Sequence, residues 1–151
     1  ESSLAYDITD RLTVGGTATW MDSRADLDGD GDLDEELPVA NIPPMKLTGY
    51  IEFQPFDWWH NRLQALYSGH RNPDAGQEFG NSDIDDFTVF DYYASFDAGP
   101  GDLRLGVENV FNEDYFPVAS QLYGREKNFP RPSGFTRGQG RTVTLSYRIK
   151  W

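Results

Sequence analysis

The sequence contains no cysteine, which excludes a disulfide scaffold, a zinc ribbon and a thiol enzyme. It has no run of about 18 consecutive apolar residues, so a membrane-spanning helix is not expected. Glu1-Ser2-Ser3 opens on polar residues, and no signal peptide is expected there. Positive charge is scarce: 13 Lys and Arg stand against 25 Asp and Glu, for a net charge of -12 over 151 residues. Phosphate binding needs a clustered basic face, so nucleic acid is excluded as a partner. No segment holds a helical period for long, and Gly or Pro interrupts most candidates. These absences describe a single acidic domain of ordinary size. Aromatic residues nevertheless make up 15% of a chain that is only 38% hydrophobic, with mean hydropathy -0.63. The aromatics must therefore be arranged rather than merely collected.

The arrangement is a period of two. At the C-terminus Val143, Leu145, Tyr147, Ile149 and Trp151 alternate without a slip with Thr142, Thr144, Ser146, Arg148 and Lys150, the pattern of a strand with one oily and one wet face. Leu12, Val14, Gly16, Ala18 and Trp20 repeat it against Thr13, Gly15, Thr17 and Thr19. So do Met45, Leu47, Gly49, Ile51 and Phe53 against Lys46, Thr48, Tyr50, Glu52 and Gln54. Less regular runs occur at Leu63, Ala65 and Tyr67, at Phe90, Tyr92, Ala94 and Phe96, and at Leu103, Leu105 and Val107, and Leu4-Ala5-Tyr6 reads as the end of one more strand. The chain is all-β.

Connections alternate in length. The short ones, 7–10, 56–61 and 98–102, are rich in turn-formers, whereas 22–44, 70–86 and 112–140 are long and carry most of the Pro, Gly and acidic residues. Long structureless loops count against an ordinary sandwich, but a transmembrane β-barrel has short periplasmic turns and long extracellular loops as a rule. The expected fold is an antiparallel transmembrane β-barrel segment of about seven strands, with apolar faces toward lipid and Thr, Ser, Gln, Arg and Glu toward a polar lumen. Aromatics should gather at the two interfaces: Phe56, Trp58, Trp59 and Trp151 near the short turns, Trp20 and Tyr67 near the other end. A secreted or periplasmic sandwich whose oily faces pack together is the alternative.

Three stretches carry a resemblance. Asp91-Tyr92-Tyr93-Ala94-Ser95-Phe96, then Leu103 to Val107 leading into Glu108-Asn109-Val110-Phe111-Asn112-Glu113-Asp114-Tyr115, then Gly140-Arg141 and the terminal alternating strand, resemble the end of a TonB-dependent outer-membrane receptor. Asn41-Ile42-Pro43-Pro44 before a strand fits the same pattern. The resemblance implies the cell outer membrane of a Gram-negative bacterium and TonB-driven import of a chelated nutrient, foremost a ferric siderophore, with no enzymatic activity. Members carry a plug domain, a TonB box and a barrel of about 22 strands; neither plug nor TonB box is found here. Residues 1–151 therefore read as the C-terminal part of such a barrel, because unpaired strand edges in lipid would cost several kcal/mol per backbone group. Implied partners are the plug and remaining strands, TonB acting through that plug, outer-membrane lipid and lipopolysaccharide, and the barrel-assembly machinery, which would read Tyr147 and Trp151. A non-transporting structural or adhesin-type outer-membrane barrel is the competing class.

Two loops hold candidate sites. Asp26-Leu27-Asp28-Gly29-Asp30-Gly31-Asp32-Leu33-Asp34-Glu35-Glu36 alternates carboxylates with glycine, a spacing that lets a tight loop wrap Ca²⁺ with hard oxygen ligands. Asp26, Asp28, Asp30, Asp32, Asp34 and Glu36 are the candidate ligands, and a solvated, self-repelling acidic run is the alternative. Asp83, Asp85 and Asp86, with Asp74 and Glu78, lack metal spacing and read as solvated surface, with cation contact as the lesser alternative. The last loop alternates basic and aromatic residues, including Lys127, Phe129 and Arg137, and Tyr123, Arg125, Arg131 and Phe135 are candidates to pair and stack with an anionic chelate. The alternative is that Arg131, Arg137 and Arg141 engage lipopolysaccharide phosphates or neighbouring acidic loops while the Phe residues pack the loop on itself. His60, placed in a short turn, and His70, at a strand end, have no nucleophile motif beside them, and paired carboxylates such as Glu52 and Asp91 are expected of any polar lining.

Overall fold

The computed structural model describes residues 1–26, 29–33, 35–37, 42–71, 83–124 and 136–149. Seven strands form one antiparallel sheet: β1 (Ser2–Thr9), β2 (Leu12–Thr19), β5 (Lys46–Phe56), β6 (Trp59–Ser68), β7 (Phe87–Ala98), β8 (Gly101–Glu108) and β9 (Thr142–Ile149), ordered β1-β2-β5-β6-β7-β8-β9. Each strand pairs with its neighbour in chain order, the meander of an up-and-down wall. A separate pair, β3 (Arg24–Ala25) and β4 (Glu35–Glu36), closes the root of the acidic loop. A single helix among the described residues, α1 (Val118–Gly124), lies in the β8–β9 connection. Pro117 precedes it, where a missing N–H costs nothing, and the Pro117 carbonyl accepts the first turn's bond from Gln121 N–H at 3.0 Å. Seven residues are too few for a helical period to stand out from sequence.

The register sorts the side chains onto two faces. Leu105 opposes Leu145, Tyr92 opposes Val107, Leu63 opposes Tyr92, Ile51 opposes Leu63 and Val14 opposes Ile51. These residues line one face, and it is bare: Leu4 is 75% and Leu145 67% exposed. Among the described strands no second layer covers it, so the sandwich alternative is not the observed arrangement. Thr13, Glu52, Arg62, Tyr93, Arg104, Glu108, Thr144 and Ser146 line the opposite face around a trough of about 640 Å³. No described helix is long and apolar enough to cross a membrane, a fact that does not bear on crossing by strands.

Strand ends differ from the sequence reading in places. The stub at Leu4-Ala5-Tyr6 is a full strand, and the connection placed at 56–61 is the turn Asp57-Trp58, so His60 and Trp59 stand on β6 rather than in a loop. Phe56, Trp58, Trp59 and Phe96 stack at that end, with centroids 5.3 Å apart for Phe56–Trp58 and 5.7 Å for Trp59–Phe96. This side-by-side packing of aromatics shortened the turn that the local composition had lengthened.

Candidate functional site

The polar face is organised by cross-strand pairs. Tyr50 faces Gly15 across β2 and β5, and a Cβ on Gly15 would sit 2.5 Å from the Tyr50 ring; the glycine is the space the ring occupies. Over Tyr50, 4.1 Å from its centroid, lies the Arg62 guanidinium, and Arg62 Nη1 reaches Glu52 Oε1 at 2.6 Å. Arg62 Nε donates to Gln64 Oε1 at 3.2 Å, and Gln64 Nε2 donates to Asp91 Oδ2 at 3.0 Å. Asp91 Oδ1 then accepts the Asn109 N–H at 2.8 Å, where the chain leaves β8. Glu52 and Asp91 are thus each engaged by partners, and no acid-base pair is formed between them.

The Asn109–Tyr115 motif builds the root of the last long loop. Asn109 and Asn112 adopt left-handed backbone, φ 50 and 56, which Asn tolerates better than most residues. Asn109 is buried; its Oδ1 accepts Glu113 N–H at 2.7 Å and its Nδ2 donates to the carbonyls of Glu113 and Gln139 at 2.9 and 3.0 Å. Asn112 Oδ1 accepts Arg141 N–H at 3.0 Å, tying the outgoing chain to the strand that returns. Phe111 meets Phe90 edge to face at 5.3 Å, and Tyr115 stacks on Phe87 at 4.6 Å. Asp114 pairs with Arg137 Nη1 at 2.6 Å.

At the same end, α1 holds the β6–β7 connection. Gln121 is 3% exposed; its Oε1 accepts Asp85 N–H at 2.8 Å, and its Nε2 donates to the Asp85 carbonyl at 3.0 Å and to the Phe116 carbonyl at 2.9 Å. Arg71 and Ile84 exchange backbone hydrogen bonds of 3.1 and 2.8 Å, extending the β6–β7 ladder past its named ends, and Ile84 is fully buried. Arg71 Nη2 donates to the Leu37 carbonyl at 3.2 Å, linking the first long loop to this stem.

Not all sequence candidates converge. In the acidic loop the Asp26 carboxylate accepts the N–H of Gly29 at 2.5 Å and of Gly31 at 3.0 Å, and Asp30 Oδ1 accepts Asp32 N–H at 2.8 Å. Gly29 and Gly31 have φ of 80 and 98, so the turn needs glycine at both. Asp28, Asp34, Asp74, Glu78, Arg125, Lys127, Phe129, Arg131, Phe135 and Trp151 lie outside the described residues, as do the side chains of Glu36 and Tyr123. Tyr147 is described: its hydroxyl donates to the Ala98 carbonyl at 2.7 Å, anchoring β9 beside the β7–β8 turn. Asp83 and Asp85 are at least partly exposed, as a solvated surface would have them. With His70 they form the group of His and carboxylate side chains, among the described residues, whose ligand atoms all lie within 4.8 Å of one another. The partners of His70 are more than a dozen positions away in sequence, and only the strand register joins them.

Comparison with known proteins places this architecture. Residues 1–110 match the family described as TonB dependent receptor-like, beta-barrel. The ferric aerobactin receptors of Escherichia coli and Klebsiella pneumoniae are each 30% identical over 118 residues, which is 76% of this chain and 15% of theirs. The chain therefore spans a small part of the length of the relatives it matches. The copper transporter OprC superposes on 93% of this chain and 21% of its own with a TM-score of 0.68 at 19% identity, a likeness of fold. The one-layer antiparallel wall, apolar on one face and polar on the other, goes with that match over residues 1–110, and the chain belongs to the TonB-dependent receptor β-barrel family.

Proposed function

We propose that this chain is the C-terminal part of an outer-membrane receptor barrel in a Gram-negative bacterium that imports a chelated nutrient, a ferric siderophore, with energy delivered by TonB through a plug. The observation that carries the reading is the 30% identity to ferric aerobactin receptors across most of the chain. In that reading the bare apolar face meets lipid, the end bearing Asp57-Trp58 faces the periplasm, and the end bearing α1 faces the exterior. The polar wall from Glu52 to Asp91 is the surface against which a plug would sit. The relatives are receptors and transporters rather than enzymes.

Three finer assignments belong to the same proposal. Tyr123, Arg125, Arg131 and Phe135 contact the anionic chelate at the mouth, supported by their alternation of charge and ring. Tyr147 and Trp151 form the strand end read during barrel assembly. The acidic loop holds Ca²⁺ weakly, supported by the Asp and Gly spacing. The deciding experiment is uptake of radiolabelled ferric siderophore by iron-limited cells with and without the receptor gene. Uptake lost on deletion and restored by the intact gene supports the reading. Equal uptake by both strains across hydroxamate, catecholate and carboxylate siderophores contradicts it.

A further inference from the structure

The β6–β7 ladder continues beyond its strands in one register. Ser68 opposes Phe87 and Arg71 opposes Ile84, so His70 stands opposite Asp85, and Asp83 follows two residues along on the same side as Asp85. Side chains two apart on a strand share a face, which puts one imidazole and two carboxylates together. Counting back along β6, His70 keeps step with Ser68, Leu66, Gln64 and Arg62, the inward side of the wall, polar but for Leu66, at the long-loop end.

The distances suit a small divalent ion. His70 Nε2 lies 3.5 Å from Asp83 Oδ1, and the Asp85 carboxylate completes a set within 4.8 Å. Nitrogen and oxygen ligands about 2.1 Å from a tetrahedral ion sit about 3.4 Å apart, so the first pair already has the edge length of such a site. A ligand set of one imidazole and two carboxylates selects Zn²⁺-class ions over Ca²⁺, which favours oxygen alone. His70 is 55% exposed, so an ion can reach the imidazole from solvent, while Asp83 Oδ1 itself is buried. The carboxylates are not on a free strand. Gln121 holds the Asp85 backbone by both its N–H and its carbonyl, and Ile84 between them is fully buried. Fixing the backbone of one ligand lowers the ordering cost of closing three side chains on an ion.

We propose that His70, Asp83 and Asp85 form a Zn²⁺-class divalent metal site on the pore side of the barrel mouth, and that Gln121 is its positioning residue. The test is Zn²⁺ titration by calorimetry of the full receptor in metal-free detergent solution, with X-ray absorption of the bound metal. Stoichiometric binding is expected, with one imidazole and otherwise oxygen neighbours. His70→Ala and Asp85→Asn should each weaken it at least tenfold, while Asp22→Asn, an exposed carboxylate elsewhere at the same end, should leave it unchanged. Gln121→Ala should weaken binding severalfold with the same absorption signature. His70→Gln serves as a second variant, and heat-dependent gel mobility verifies the fold of each. No Zn²⁺ binding by the parent receptor, or equal affinity in the folded His70 and Asp85 variants, overturns the proposal. Uptake is not read in this experiment, so its outcome is independent of which nutrient the receptor carries.

Discussion

Asp91, on the polar wall, accepts the backbone N–H of Asn109 at 2.8 Å, where the chain leaves the sheet for its last long loop. One carboxylate oxygen thus belongs to the loop root and the other to Gln64.

That junction sets the first prediction. Asn109→Ala removes three hydrogen bonds from a buried side chain and leaves a Cβ residue at φ 50. Unmet buried partners cost about 1–3 kcal/mol, and the left-handed backbone adds about 1–2 kcal/mol. Asn109→Gly should recover only the backbone share. Hydrogen exchange should speed at Glu113 in both variants, more in Ala than in Gly.

Gln121 supplies the second. Gln121→Ala should free the Asp85 amide to exchange within a locally opened β6–β7 connection, at a cost of about 1–3 kcal/mol. Gln121→Glu should be at least as damaging, because it keeps the Oε1 acceptor but loses the Nε2 donor that serves two carbonyls. Exchange mass spectrometry of peptides covering 83–90 and 112–121 reads both.

The glycine beneath Tyr50 gives a comparison. Gly15→Ala forces the Tyr50 ring off its seat and with it the Arg62 stack, whereas Gly49→Ala enters open space on the apolar face. Gly15→Ala should lower the unfolding midpoint in detergent, and Gly49→Ala should leave it the same or raise it slightly. Glu52→Gln should matter less than Gly15→Ala, because the Glu52–Arg62 pair is half-exposed and such pairs contribute under about 1 kcal/mol.

Much of this was readable from the chain itself. Strict alternation in 142–151 and 45–54 assigned the two faces, because period two leaves a side chain no third direction. The sizes of the connections told which ends turn tightly. What escaped had a non-local cause. His60 reads as a turn residue because Asp57, Trp58 and Asn61 surround it, yet the Phe56–Trp59 stack carries the ladder to the next residue. α1 is held by Gln121 reaching across to Asp85, a contact spanning 36 positions. The His70 group becomes visible only when the β6–β7 register is carried past the last hydrophobic pair; applying that register to the sequence would have found it. The Asn109–Tyr115 motif stands out in sequence as a signature, and its hydrogen bonds supply the physical reason.

A face assignment predicts the response to charge. Leu145→Arg on the apolar face should destabilise the barrel by about 2–4 kcal/mol if it lies near the bilayer midplane. Thr144→Arg, one position away on the polar face, should be tolerated in folding and outer-membrane yield. Equal losses for both would refute the alternation.

The most direct measurement places single thiols on β9, which has no cysteine of its own, in a receptor whose cysteines elsewhere have been replaced. Spin labels at Val143, Thr144, Leu145 and Ser146 in the receptor, reconstituted in lipid, report collisions with oxygen and with a water-soluble nickel chelate. The account predicts high oxygen and low nickel accessibility at 143 and 145, and the reverse at 144 and 146. Low oxygen accessibility at 143 and 145, the signature of an apolar face packed against protein, would contradict it.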